Sequence, residues 1–188
     1  MVQAPTKPLT LDGFLALPET KPASEFINGR IIQKPMPQGK HSRLQLDFAA
    51  LINTAVRPQK IACSFTELRC IFGGSSVVPY IVVMQWQHVP VDANGQVANV
   101  FDLAPDWTIE ILSPDQRVAK VTRKILHCLE HGTEMGWLIN PEDGSVFVHR
   151  SQQAVEVYDE ESEASLPMPS FIDGLSITTK ELFDLLIF

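Results

Sequence analysis

Residues 105–114 read PDWTIEILSP, a pattern that predicts a short buried β-strand followed by a break. Side chains alternate between the two faces of a strand, so Trp107, Ile109 and Ile111 share one apolar face. Glu110 lies on the other face, in the middle of an otherwise apolar strand, where burying a lone carboxylate would be costly. Two interpretations stay open: Glu110 binds a hard metal ion such as Mg²⁺, or it pairs with a basic residue of the next helix.

A helix is predicted to follow this strand, opening at Ser113 and running to about Glu130. The two turns that begin at Arg117 carry four basic residues and no acidic residue. Cations at a helix N-terminus oppose the helix dipole, so they are not there for helix stability. They either bind a phosphate or form a solvated face, and both interpretations stay open. These residues are Arg117, Lys120, Arg123 and Lys124.

The same helix carries His127 and His131, which are four residues apart and therefore share a face. Such a pair could bind a transition metal, or the two could be surface histidines near the end of a helix. The spacing indicates no third ligand, and the HExxH pattern of zinc proteases is absent.

The elements around this segment predict a mixed α/β sheet with covering helices. From residue 41 to residue 139 their order is α-β-β-β-α-β, with residues 77–84 as one strand. An N-terminal helix and a β-hairpin precede this core, and the hairpin turns at Asn28-Gly29, where both residues tolerate positive φ. A second hairpin and a short helix follow the core.

The 188 residues include 15 basic and 22 acidic side chains, which give a net charge of −7, and 45% are apolar. This composition is typical of a folded globular protein and argues against a surface that is basic throughout. We predict a single domain over residues 1–188, with residues 1–8 as a loose tail. The apolar runs are shorter than the roughly 20 residues of a membrane span. The three cysteines form no CxxC pair, so we expect a cytoplasmic protein with free thiols.

Several segments together make the chain resemble the Uma-two family of restriction-endonuclease-like proteins, within the PD-(D/E)xK nuclease superfamily. The resemblance spans Leu9 to Leu186 and implies the same α-β-β-β-α-β core. The segments that carry it are SEFINGRII, His41, VVPYIVV, PDWTIEILSP, Lys124 and GWLINPEDGSVFVHR.

The resemblance implies metal-dependent hydrolysis of nucleic-acid phosphodiesters, with Mg²⁺ or Mn²⁺ as the cofactor. Glu110 matches the family's metal-binding glutamate, Lys124 its lysine and Glu25 a further acidic position. Tyr80 stands where the family usually has the aspartate of a Val-Pro-Asp motif, and a phenol is a poor Mg²⁺ ligand near neutral pH. We therefore expect an impaired endonuclease or, alternatively, a non-catalytic nucleic-acid-binding or assembly protein on the same fold.

The resemblance also implies partners: nucleic acid, with DNA favoured, and a second copy of the chain in a homodimer. No membrane partner is expected, because the apolar runs are too short to span one. His41 and Arg43 belong to a stretch with a local excess of basic residues, between residues 30 and 60. Together with Arg117 and Lys120, they are the candidate contacts to nucleic-acid phosphates. For His41 a second interpretation stays open, an ordinary residue at the start of a helix.

Overall fold

The computed structural model describes residues 8–114 and 116–187, so the expected tail over residues 1–8 falls almost entirely outside the described residues. Within this part of the chain, no helix is long and apolar enough to cross a membrane. The helices are α1 (Leu11–Leu15), α2 (Gly39–Val56), α3 (Val118–Glu130) and α4 (Thr179–Asp184). The strands are β1 (Ser24–Ile27), β2 (Arg30–Gln33), β3 (Ala62–Thr66), β4 (Cys70–Phe72), β5 (Ser75–Val77), β6 (Ile81–Gln85), β7 (Trp107–Ile111), β8 (Met135–Asn140), β9 (Ser145–Arg150) and β10 (Glu156–Tyr158).

The strands form two sheets, and the larger one contains the predicted core. Its six strands lie in the order β10-β9-β8-β7-β6-β3. Strands β7 and β8 are parallel and are joined by α3, whereas β3, β6 and β7 pair antiparallel. The run α2-β3-β6-β7-α3-β8 is therefore the α-β-β-β-α-β core, which confirms the predicted mixed α/β class.

The two faces of β7 pack against different helices, as the alternation of its side chains predicts. Trp107, Ile109 and Ile111 are buried in the main core, where Phe48 of α2 stacks on Trp137 of β8 at a ring-centroid distance of 5.6 Å. On the opposite face, α3 packs through a smaller apolar cluster around Ile125 and Leu138. Glu110 thus projects from the sheet toward α3, the helix that carries Lys124.

The expected single strand over residues 77–84 is wrong, because the chain changes sheets within it. Strand β5 belongs to the smaller sheet, whose order is β2-β1-β5-β4, and β6 belongs to the larger one. Pro79 lacks the N–H that a continuous ladder requires, and the N–H of Val78 donates to Glu25 Oε1 at 2.7 Å instead of to a strand. Tyr80 therefore lies at the junction of the two sheets.

Helix α3 begins later than the expected opening at Ser113. Its N-cap is Arg117, whose ψ of 123° is extended and whose own side chain forms no capping hydrogen bond. A turn precedes it, in which Ser113 N–H donates to the side-chain oxygen of Gln116 and Ser113 O accepts from Gln116 N–H. Arg117 consequently belongs to the turn and not to the helical face of Lys120 and Lys124.

Gly136 of β8 allows α3 to approach the sheet closely. A Cβ at this position would lie 2.2 Å from Ile125 Cγ2 and 3.3 Å from Thr108 Cγ2. We expect Gly136→Ala to lower the free energy of unfolding by about 1–3 kcal/mol, because the helix and the sheet must separate. The matched control is Gly39→Ala, at the first residue of α2, where a Cβ meets nothing within 4 Å. Urea denaturation should show little change or a small gain for this control; equal losses for both variants would contradict the packing argument.

Candidate active site

Three charged side chains that are distant in sequence meet between the two sheets and α3. Lys124 Nζ lies 2.8 Å from Glu25 Oε1 of β1 and 2.8 Å from Glu110 Oε1 of β7. All three residues are buried, with 6%, 5% and 1% of their surface exposed. The contact to Glu25 is a hydrogen bond, whereas that to Glu110 has the distance of an ion pair without hydrogen-bond angles. The structure thus brings together the three residues expected to be catalytic.

Local sequence explains how Glu25 reaches this point. Asn28 and Gly29 take φ values of 51° and 73° in the turn of the β1–β2 hairpin, which sets the register that pairs Glu25 with Ile32. Strand β1 also pairs with β5 at Phe26. Glu25 Oε1 accepts the Val78 N–H as well as the Lys124 proton donor, so it joins the small sheet to the helix.

Burial and charge act in opposite directions on the members of this cluster. Burial raises the pKa of Glu110 to about 7, although Lys124 and Lys34 lower it. Burial alone would lower the pKa of Lys124, but the carboxylates of Glu110 and Glu25 outweigh it and raise the pKa above its usual value. Lys124 is therefore a permanent cation at neutral pH, and the two carboxylates depend on it for compensation.

A second buried lysine, Lys34, lies beside this cluster and was not expected there from the sequence. Its Nζ lies 2.9 Å from each carboxylate oxygen of Glu67, donates to Val78 O at 2.8 Å and lies 3.8 Å from the centroid of the Tyr80 ring. Burial and the charge of Lys124 lower its pKa, and the carboxylates of Glu110 and Glu67 oppose that shift. The only signal in the sequence was its membership of the basic stretch after residue 30.

Tyr80, which stands where the family usually has an aspartate, lies at the junction between the two sheets. Its side chain is buried, and its hydroxyl makes no well-directed hydrogen bond to any group in the described residues. Burial raises the pKa of the phenol, so it is neutral at physiological pH. Its backbone oxygen accepts hydrogen bonds from the Gln45 side-chain amide, at 3.0 Å, and from the Glu67 N–H.

His41 does not lie at the surface, where we expected it to meet phosphate. It is 3% exposed, its Nε2 lies 3.0 Å from Leu112 O and 3.1 Å from Ser113 Oγ, and its ring is 5.7 Å from that of Tyr80. Burial lowers its pKa. His41 thus ties the start of α2 to the end of β7 and is not placed to contact a macromolecule.

The other expected phosphate contacts divide between two surfaces. Arg117 and Lys120 are exposed and line a cleft between the β1–β2 hairpin and α3, at whose base lie Glu25 and Lys124. Neither cation forms an ion pair with a residue in the described ranges. Arg43 instead pairs with Asp47 and donates to Leu185 O, near the C-terminal end of α4 and away from that cleft.

The donor set does not fit a resident Mg²⁺. That ion requires an octahedral shell of oxygens at about 2.1 Å, but both carboxylates here are paired with Lys124 and the third expected carboxylate is the neutral phenol of Tyr80. Lys34 adds a second ammonium group, 3.8 Å from the Tyr80 ring. A divalent cation at this point would be repelled by two lysines with too few oxygens to compensate.

Comparisons with known proteins agree with this architecture. The model of a family described as "Uma2: Putative restriction endonuclease" matches residues 11–180. The chain is similar to a solved protein described as "a putative nuclease belonging to DUF820 from Anabaena variabilis ATCC 29413". The two are 58% identical with a TM-score of 0.93, and the match covers 96% of this chain and 100% of that one. No curated protein matches the chain.

Proposed function

Because the chain belongs to the Uma2 family of restriction-endonuclease-like proteins, we propose that it binds nucleic acid in the cleft beside Lys124 and does not cleave the phosphodiesters. The observation that carries the proposal is that groups of the chain itself occupy the place where the resemblance implies a metal-binding carboxylate. A neutral Tyr80 stands at the expected aspartate position, and the ammonium group of Lys34 lies against its ring. The carboxylates are compensated by lysines of the chain itself.

The charges around the cleft favour a polyanionic partner. Among the charged residues that line the cleft, Lys124, Arg117 and Lys120 are basic and Glu25 is acidic, although the whole chain carries a net charge of −7. Lysine and arginine side chains at a groove are the usual contacts to a phosphate backbone. The exposed pair, Arg117 and Lys120, is available for such contacts because no described carboxylate neutralises it.

The lack of cleavage that we propose follows from the pairing of the remaining carboxylates with Lys124. Hydrolysis in this fold superfamily needs a metal ion that polarises the phosphate and lowers the pKa of a bound water. Glu110 and Glu25 are the carboxylates left to hold the ion, and each already compensates Lys124. A second candidate, slow cleavage with Mg²⁺ or Mn²⁺, is favoured by the retention of Glu25, Glu110 and Lys124 together.

Binding is tested by fluorescence anisotropy with a labelled duplex DNA of random sequence. We expect Arg117→Ala with Lys120→Ala to weaken binding and to reduce the salt slope of the affinity by about 2, because two phosphate contacts are lost. Arg57→Ala with Lys60→Ala is the matched control. It removes one arginine and one lysine from exposed positions just after the C-terminal end of α2, which do not line the cleft. An equal loss in the control, or no binding of the unmodified protein at low salt, would contradict the proposed cleft. Single-stranded RNA in the same assay decides between the nucleic acids.

Cleavage is tested on the same DNA with Mg²⁺ or Mn²⁺ present. We expect no product from the unmodified protein. Product that disappears in Glu110→Gln would establish the second candidate instead.

The proposal includes a homodimer and a cytoplasmic location. Strand β2 is an edge strand of the smaller sheet and all four of its residues are exposed, including Ile31 and Ile32. Exposed apolar edges of this kind are suited to pairing with another chain. All three cysteines are free thiols, as expected in a reducing compartment. Light scattering on the samples used for binding gives the oligomeric mass.

A further inference from the structure

The C-terminal end of α3 brings together two imidazoles and a carboxylate, away from the charged cluster at its Lys124. We propose that His127, Glu130 and His131 form a binding site for a divalent first-row transition metal of the Zn²⁺ type. One ligand atom from each residue lies within 4.8 Å of the other two. His127 is half-buried, whereas Glu130 and His131 are exposed, so an ion can reach the site from solvent.

Hydrogen bonds fix the tautomers of the two imidazoles. His131 Nδ1 lies 2.8 Å from His127 O, and because a carbonyl oxygen can only accept, Nδ1 carries the proton and Nε2 keeps a free lone pair. His127 Nε2 donates in the same way to Phe72 O at 3.4 Å, which leaves Nδ1 as its lone-pair atom. A bond from the second ring nitrogen to a carbonyl is the usual support of a metal-binding histidine.

The β4–β5 hairpin holds both rings in place. The Phe72 ring lies 5.1 Å from the His127 ring and 5.6 Å from the His131 ring, and the two imidazoles are 4.4 Å apart. His131 packs so closely on Gly73 that a Cβ there would lie 2.1 Å from Nε2. Gly73 also has a φ of +54°, which favours glycine. The ligands are thus preorganised, which lowers the entropy lost on binding.

The chemistry of the ligands selects the metal class. Imidazole nitrogens suit Zn²⁺, Ni²⁺, Co²⁺ and Cu²⁺, whereas Mg²⁺ prefers oxygen ligands alone. Two histidines and one glutamate also form a known three-ligand arrangement for zinc, with water completing the shell. The site lies at the C-terminus of a 13-residue helix, where the helix dipole favours a cation. The spacing in the sequence indicated the two histidines. Glu130 becomes the third candidate ligand because the structure places its carboxylate beside both imidazoles.

The experiment is calorimetric titration of Zn²⁺ into the untagged full-length chain carrying Cys63→Ser, since the half-buried thiol of Cys63 could bind zinc by itself. We expect His131→Asn and Glu130→Gln each to weaken Zn²⁺ binding by about tenfold or more. The matched control is His88→Asn, because His88 also pairs an imidazole with a carboxylate, Asp106, but has no third ligand among the residues that the structure describes. This control should bind Zn²⁺ as the parent does.

Co²⁺ provides an independent readout, because visible absorption bands report nitrogen ligation and a low coordination number. We expect these bands in the parent chain and in His88→Asn, and their loss in His131→Asn. Zn²⁺ binding that is unchanged in His131→Asn, equally weakened in His88→Asn, or absent from the parent at millimolar metal would overturn the proposal. The substituted residues are at the surface, and circular dichroism checks that each variant remains folded.

Discussion

Replacing Lys124 with methionine is expected to lower the free energy of unfolding by about 3–5 kcal/mol near pH 8, the cost of leaving buried charges without their partner. Glu25 and Glu110 both lie 2.8 Å from the Lys124 ammonium group, and both are buried. Methionine keeps most of the volume of the lysine stem, so lost packing contributes little. The effect therefore measures how far the two carboxylates depend on one cation.

The loss should be smaller near pH 5, and the sign follows from Glu110. Burial raises the pKa of Glu110 in the folded protein to about 7, above its ordinary value of 4.5. The stability contributed by such a group is fully present below the lower value and is lost as the pH rises through the higher one. Removing Lys124 raises the folded pKa further, so the protonated and uncharged Glu110 relieves the variant in acid but not in base.

Urea denaturation of Lys124→Met at about pH 5 and about pH 8 measures both effects. Lys120→Met is the matched control, since it makes the same change one turn earlier on α3 at an exposed position. We expect it to change the free energy of unfolding by no more than about 0.5 kcal/mol at either pH. A loss for Lys124→Met that is the same at both pH values would show that Glu110 does not carry the effect.

Introducing the missing carboxylate while removing the internal cation is expected to create a metal site. Tyr80→Asp with Lys34→Met should raise the affinity for Mn²⁺ by at least about a hundredfold, because a unit charge at about 4 Å changes the interaction energy by roughly 4 kcal/mol. Tyr80→Asp alone should gain much less, because Lys34 Nζ lies 3.8 Å from the Tyr80 ring centroid and would pair with the new aspartate.

Electron paramagnetic resonance of free Mn²⁺ measures this gain, in a His131→Asn background that excludes the end of α3. Tyr80→Asn with Lys34→Met is the matched control, because it gives a side chain of the same shape without the charge. An equal gain in the control would show that space, and not charge, had limited binding. Tight Mn²⁺ binding by the parent chain would show that the present residues already fit a metal.

Local patterns in the sequence predicted much of the framework that positions the site. The Asn28-Gly29 turn fixed the hairpin of Glu25, and the alternation around Ile109 placed Glu110 on the face toward α3. Both features depend on neighbours in sequence. Pairing of Glu110 with a basic residue of the next helix was one of two open interpretations, and the structure contains such a pair, with Lys124.

The role of Lys34 could not be predicted, because its partners are distant in sequence. It contacts Glu67, 33 residues away, and Val78, 44 residues away, across the boundary between the two sheets. The change of sheet at Pro79 was hidden because residues 77–84 read as one continuous apolar run. His41 was misplaced for a similar reason: only the fold reveals that β7 ends against the start of α2.

The junction between the two sheets holds residue 80 by its main chain as well as by its buried side chain. The carbonyl of Tyr80 accepts from Gln45 and from Glu67, so these restraints are indifferent to which side chain the residue carries. Codons for tyrosine and aspartate differ by a single base. An exchange of tyrosine and aspartate at this position would therefore leave in place the main-chain hydrogen bonds that tie residue 80 to α2 and to the segment after β3.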